Sequence, residues 1–182
     1  MPMTLVLTRK PNDLFASHGR NSGLMGRCGT LLVFTGERIT GVEILGRDVQ
    51  GAGFVDVPSG RLELESSGEV MEVARYTTIE RMGGFVQLRP QRKPYTLRFE
   101  PNNSEVAKLH HGGRCYRVHG GHTEKERNIL IHEAPHVGWL TGCIGPRLLH
   151  DRKMDTQSCQ WAMIDLIRHV GVRGADFFVL DW

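Results

Sequence analysis

The chain has 182 residues, of which 40% are hydrophobic and 24% are charged, and its formal net charge is +3. This size predicts a single domain, residues 1–182, with enough apolar side chains for a core. The small, dispersed positive charge does not indicate nucleic-acid binding, because phosphate recognition needs several convergent charges. No apolar run has the length of a membrane span. The four cysteines form no CxxC pair, so neither a disulfide framework nor a zinc finger is predicted.

Twenty-two glycines and eight prolines divide the sequence into short segments, a pattern typical of strands and turns. Apolar or alternating stretches predict the strands, while the polar, glycine-dotted segment 12–29 predicts a loop or a short helical turn. The predicted strands are Thr4–Thr8, Cys28–Thr35, Thr40–Leu45, Phe54–Val57, Arg61–Glu65, Phe85–Leu88, Tyr95–Phe99, Gly112–His119, Asn128–His132 and Phe177–Leu180.

One helix is predicted near the C-terminus, where Asp155 or Thr156 can cap its start and Gly171 can end it. Asp165 is expected to point away from the buried face. The side chains that recur at helical spacing, and that we expect to be buried, are Trp161, Ile164, Ile167 and Val170. The predicted fold class is therefore mainly β (α+β): a single compact domain of short strands with one C-terminal helix packed on the sheet.

Histidines and cysteines are concentrated between residues 110 and 150. Clustered titratable and nucleophilic groups are typical of a functional site, and the alternative is a set of exposed loop residues. We expect the alternative for His110, His111 and His150. The cluster consists of His110, His111, His119, His122, His132, His136, His150, Cys115 and Cys143.

One interpretation of this region is a zinc site, because His132-Glu133-Ala134-Pro135-His136 matches HExxH. That motif works on a helix, where the spacing puts both imidazoles on one face and the glutamate acts as general base. Pro135 disfavours such a helix, and the preceding apolar, β-branched residues predict a strand that ends at His132. A zinc metallopeptidase remains the alternative function.

The other interpretation places a cysteine site in the segment 128–147. His132 ends a strand, and Thr141-Gly142-Cys143-Ile144 follows after a loop. A cysteine nucleophile needs an imidazole that holds it as a thiolate, and Gly142 permits a tight turn whose N–H groups can form an oxyanion hole. Cys28, Cys115 and Cys159 are expected to be small buried hydrophobic residues instead.

The pattern IH…GCI resembles the active-site signature of the L,D-transpeptidase family of cell-wall enzymes. Its shorter His-to-Cys spacing is closer to a bacterial and phage domain family of unknown function, which also has a proline-glycine strand entry, here at 57–60. The resemblance covers roughly Phe34 to Pro146.

The resemblance implies that Cys143 is the nucleophile and His132 its base. Where the transpeptidases have a second histidine and an arginine around the cysteine, this chain has Thr141 and Gly145, with Arg147 displaced by two residues. The substrate-binding residues expected on this basis are Arg147, Thr141, Gly142, His136 and His119.

The function expected from the resemblance is a cysteine-dependent peptidoglycan-modifying enzyme, transpeptidase-like or an amide hydrolase, of phage or secreted-effector type. Peptidoglycan peptide stems are its expected partners, an immunity or secretion partner is a further option, and no cofactor is expected. Residues 1–10 lack the features of a secretory signal, so we expect synthesis in the cytoplasm and delivery to the periplasm or wall by another route. A non-catalytic phage or secretion-system component remains open as well.

Overall fold

The computed structural model describes residues 1–16, 23–45, 55–58, 60–82, 88–108, 112–121, 123, 129–148 and 156–181. These residues form a mainly β domain with one helix near the C-terminus, which confirms the predicted fold class. The strands are β1 Met3–Ala16, β2 Met25–Gly36, β3 Ile39–Leu45, β4 Val55–Val57, β5 Gly60–Ser66, β6 Val70–Met82, β7 Tyr95–Glu100, β8 Cys115–His119, β9 Leu130–Ile131, β10 Ile144–Arg147 and β11 Ala175–Asp181. The helix α1 is Thr156–Val170, and a short 3-10 helix covers Val137–Trp139.

Within the described residues, eight strands close into a barrel in the order β1-β11-β7-β8-β9-β10-β6-β2. Most neighbouring strands are antiparallel, but β1 pairs with β11, and β9 with β10, in parallel. The β9–β10 pair is central to the candidate site because it joins the two segments that carry the IH and GCI patterns.

Three barrel strands are long, which corrects the prediction that the strands are short. β1, β2 and β6 have 14, 12 and 13 residues. β1 and β2 remain paired through Leu14–Ala16 and Met25–Arg27, so much of the segment predicted as a loop is strand. Of the strand predicted at Phe85–Leu88, only Leu88 lies within the described residues, and it is outside any strand.

The apolar run of β2 is buried on both faces, as expected for a strand covered from two sides. Leu31 and Val33 face the barrel core, whereas Leu32 and Phe34 belong to a second apolar cluster outside it. That second cluster is covered by a three-stranded sheet of β3, β5 and β4.

The helix α1 packs against β10 and β6 and adds side chains to the barrel core. The buried residues differ from the predicted stripe, because Trp161 is 59% exposed and Ile164 is only half-buried. The helix residues in the core are Ala162, Met163, Leu166 and Val170. No helix in the described part of the chain has the length and apolar character needed to cross a membrane.

Two polar contacts also attach α1 to the barrel, and one of them corrects a prediction. Asp165, expected to point away, accepts a hydrogen bond of 2.7 Å from the Tyr76 hydroxyl of β6. The Gly171 N–H donates to Ile167 O at 2.8 Å, and Gly171 has a φ of 69° that favours glycine, so the predicted helix end is confirmed. Its carbonyl accepts from the Tyr116 hydroxyl at 2.8 Å.

Four charged side chains form a network inside the barrel, next to the apolar core residue Leu7 along β1. They are Arg9, Arg27, Glu80 and Asp181. Arg9 donates to Asp181 at 2.5 Å and to Glu80 at 3.0 Å, and Arg27 lies 3.6 Å from the other Glu80 oxygen. Arg9 and Glu80 are only 1% and 2% exposed. The network therefore joins four strands of the barrel, β1, β2, β6 and β11.

Candidate functional site

The structure places His132 and Cys143 at the ends of two neighbouring strands. β9 ends at Ile131, directly before His132, and β10 begins at Ile144, directly after Cys143. Ile131 and Ile144 are register partners, and the His132 N–H donates to Ile144 O at 3.1 Å. The two segments that the sequence singled out are therefore adjacent in space.

The two side chains also lie on the same side of the barrel wall. Ile131 and Ile144 belong to the barrel core, whereas Leu130 and Cys143 belong to an apolar cluster on the outer side. Because side chains alternate along a strand, His132 faces the same outer side as Leu130. The Leu130 N–H donates to Cys143 Sγ at 3.4 Å.

The imidazole of His132 is 2% exposed, and its hydrogen bonding fixes its tautomer. Its Nδ1 atom lies 2.6 Å from Glu133 O. A backbone carbonyl only accepts, so Nδ1 carries the proton and Nε2 keeps a lone pair. Burial lowers the pKa of His132 to about 4, although the bond to Glu133 opposes this shift. At neutral pH the ring is therefore uncharged, with the basic nitrogen at Nε2.

Cys143 is 6% exposed, and its electrostatics differ from the sequence expectation. Burial raises the pKa of the thiol to about 11, against the opposing effect of the Leu130 hydrogen bond. The group is consequently a thiol at neutral pH, which corrects the expectation of a resting thiolate. Gly142 has a φ of 83°, a conformation that favours glycine, so the turn predicted before the cysteine is present.

The HExxH match does not have the helical geometry that the zinc motif requires. Residues 132–136 lie outside any helix, and His136 has an extended backbone with φ −157° and ψ 169°. The Nδ1 atom of His136 accepts from the Gly138 N–H at 3.1 Å and so caps the 3-10 helix. Among the described residues, no group of three or more His, Cys, Asp or Glu side chains is arranged to hold a metal ion.

Arg147 is buried rather than open to a ligand. It is 1% exposed, and its Nη2 atom donates to Ala134 O at 2.5 Å and to Pro135 O at 3.2 Å. The guanidinium therefore holds the loop that follows His132. This position does not fit the expected substrate-carboxylate contact, because the guanidinium is buried and donates to the carbonyls of the loop.

The remaining predicted substrate-binding residues occupy different surroundings. Thr141 is exposed, and the ring of His136 lies 6.3 Å from that of Trp139, which is 37% exposed. His119 is half-buried on β8, where its register partner is Thr96. Four further residues of the predicted cluster, His110, His111, His122 and His150, lie outside the described residues.

Cys115 is a neighbour of the site that the sequence interpretation left out. The β8–β9 register pairs Tyr116 with Ile131, which places Cys115 across from His132. Cys115 is fully buried, as expected, and burial raises the pKa of its thiol to about 12, with Cys143 contributing to the same shift. The position of Cys115 opposite His132 follows only from the β8–β9 register, so the sequence alone does not reveal it.

An open cleft with a volume of about 940 Å³ lies elsewhere, against the three-stranded sheet. β3 and β5 supply most of its lining, together with Arg92, Leu180 and Asp181. His132 and Cys143 are both nearly buried and do not line this cleft, so the candidate site is separate from it.

Comparison of the chain with protein-family models, with curated proteins and with solved structures finds no match.

Proposed function

We propose that this chain is a cysteine-dependent enzyme that acts on peptide bonds of peptidoglycan, with Cys143 as nucleophile and His132 as base. The observation that carries the proposal is the Nδ1–H···O=C bond from His132 to Glu133 at 2.6 Å. It leaves the lone pair on Nε2, and His132 faces the same side of the wall as Cys143. The substrate class rests on the resemblance of the IH…GCI pattern to cell-wall enzymes.

In the proposed mechanism both resting groups are neutral, a thiol and an imidazole on the same side of the barrel wall. Nε2 of His132 takes the thiol proton as Cys143 Sγ attacks the amide carbonyl carbon. The imidazolium then returns the proton to the leaving amine, and a thioester remains on Cys143. Water or an acceptor amine resolves the thioester, which gives hydrolysis or transpeptidation.

Access to the pair is a requirement of this proposal. Cys143 packs in an apolar cluster that includes Val106, Val137 and Leu140. Both reacting groups are nearly buried, so substrate binding has to displace part of this packing. A neutral resting pair suits such a site, because burial penalises charged groups far more than neutral ones.

The direct test is incubation with purified peptidoglycan and mass spectrometry of the released peptides. We expect new or shortened peptide stems with the unmodified protein, and a loss of rate of roughly 10³-fold or more in Cys143→Ala. Cys28→Ala is the matched control, since Cys28 is half-buried on β2. Equal rates in Cys143→Ala and the unmodified protein would refute the assignment.

The alternative is a non-catalytic component of a phage or secretion apparatus, and the burial of Cys143 and His132 favours it. In that case the two residues only pack the loop on the barrel. The unmodified protein then leaves peptidoglycan unchanged, as do Cys143→Ala and Cys28→Ala. The absence of any product from the folded, unmodified protein separates the roles, and chemical denaturation of Cys143→Ala then measures what the packed side chain contributes to stability.

A further inference from the structure

Arg147 has a place in the site that its sequence position did not predict. It lies on β10, four residues after Cys143, and its guanidinium binds the backbone carbonyls of Ala134 and Pro135. These carbonyls belong to the loop that also supplies Glu133 O to the imidazole of His132. One buried side chain therefore connects the strand of the cysteine to the loop that orients the histidine.

The guanidinium contacts three backbone carbonyls. Nη2 donates to two successive carbonyls, and Nη1 lies 3.4 Å from Pro146 O. Fixing two adjacent carbonyls sets the peptide planes on either side of Pro135. The Glu133 carbonyl is one residue earlier, so its direction toward Nδ1 depends on the same short stretch of backbone.

We propose that Arg147 is a positioning residue that holds the 133–135 loop so that Glu133 O keeps the proton of His132 on Nδ1. The inference rests on the proposed function, because a lone pair on Nε2 matters only if His132 acts as the base. It does not require Arg147 to touch the substrate. Loss of the guanidinium frees the loop carbonyls to turn toward water, because a buried carbonyl without a donor is unfavourable.

The test reads the tautomer directly by ¹⁵N NMR of the His132 ring at pH 7. In the unmodified protein we expect a single form with the proton on Nδ1. In Arg147→Met, which keeps a long apolar side chain, we expect that single form to be lost and a mixture with protonated Nε2 to appear. An unchanged, single Nδ1–H form in a folded Arg147→Met protein overturns the proposal.

Two controls separate positioning from general destabilisation. Leu140→Val weakens the apolar cluster around Cys143 without touching the carbonyls, and Arg168→Met removes an exposed arginine from α1. Both are expected to keep the Nδ1–H form, and a mixture of tautomers in Leu140→Val counts against the proposal.

Arg147→Lys is the rescue variant, and it also tests the proposal if Arg147→Met does not fold. Lysine keeps the charge, but its nitrogen lies one bond short of the Nη2 position, so it cannot make both carbonyl contacts at the same distances. We expect a tautomer mixture with more Nδ1–H than in Arg147→Met. A single Nδ1–H form in Arg147→Lys overturns the proposal. None of these spectra involves turnover, so the inference can fail while Cys143 remains the nucleophile, and it can hold if Cys143 proves inert.

Discussion

At the scale of single residues, burial determines the state of the candidate pair. The same loss of water lowers the pKa of His132 to about 4 and raises that of Cys143 to about 11. Both shifts favour the neutral form, so a thiolate–imidazolium ion pair is disfavoured before substrate arrives. Proton transfer therefore belongs to the attack step in the proposed mechanism.

The reactivity of Cys143 toward iodoacetamide tests this conclusion. With a pKa of about 11, roughly one thiol in 10⁴ is ionised at pH 7, against a few per cent for an ordinary cysteine. We expect Cys143 in the folded protein to be labelled at least about 100-fold more slowly than a model thiol, with a rate that rises about tenfold per pH unit up to pH 11. Mass spectrometry of the labelled peptides measures the rates, and labelling in urea is the control. Fast labelling at pH 7 would instead indicate the thiolate that the sequence predicted.

A second residue-scale prediction concerns acid stability. The folded pKa of His132 lies near 4, below the ordinary value of 6.5, so the unfolded chain binds one more proton between these pH values. The stability is complete above pH 6.5 and falls as the pH drops toward 4, by about 1.4 kcal/mol per pH unit from this group. We expect the unmodified protein to lose about 2–3 kcal/mol more than His132→Gln between pH 6.5 and 4.5. Urea unfolding at both pH values measures the difference, and parallel losses would contradict a buried neutral imidazole.

The sequence predicted the adjacency of His132 and Cys143 but not their burial. Adjacency follows from two strand-like segments with a loop between them. The burial of Cys143 involves Val106, which precedes it by 37 positions in the sequence and packs in the same cluster. No local pattern reports such a contact, and for the same reason the burial of Arg147 could not be read from its spacing.

At the scale of elements, strands with clean apolar patterns were predicted and strands with mixed patterns were missed. β6 contains charged residues and a run of residues common in helices, Val70–Met82, yet it pairs along most of its length with β2. β10 contains Pro146, and proline disfavours a strand, yet β10 is paired on both sides within the barrel, by β9 and β6. In both cases pairing with neighbours outweighs the local preference.

The helix stripe gives an element-scale prediction because sequence and structure disagree about it. Leu166 is fully buried in the barrel core, whereas Trp161 is 59% exposed. We expect Leu166→Ala to lower the free energy of unfolding by about 2–5 kcal/mol. Trp161→Ala should change it by less than about 1 kcal/mol, since it leaves no cavity. Chemical denaturation measures both. A larger loss of stability in Trp161→Ala than in Leu166→Ala would indicate that the buried face is the one predicted from the spacing.

At the scale of the whole molecule, the barrel closes by pairing the first and last strands of the described chain. β1 and β11 run in parallel, from Thr4 opposite Asp176 to Arg9 opposite Asp181. Closure of this kind removes sheet edges but depends on contacts distant in sequence. The charged network around Arg9 lies at the end of this paired region and also includes Glu80 of β6.

The contribution of this network to closure is the last prediction. Arg9 donates to Asp181, Glu80 and Leu88 O, so Arg9→Met leaves the buried Glu80 carboxylate with a weaker set of partners. Breaking a buried ion pair from one side typically costs about 3–5 kcal/mol, and we expect a loss of that size in urea unfolding.

Arg38→Met is the matched control, because Arg38 also pairs with an aspartate of β11, Asp176 at 3.1 Å, but is 68% exposed. An exposed pair contributes at most about 1 kcal/mol, so this variant should remain close to the unmodified protein. A small loss in Arg9→Met, equal to that in Arg38→Met, would mean that apolar packing alone holds β1 against β11. A large loss only in Arg9→Met would mean that β1 and β11 are joined through the buried charges, and that the barrel opens when these charges lose their partners.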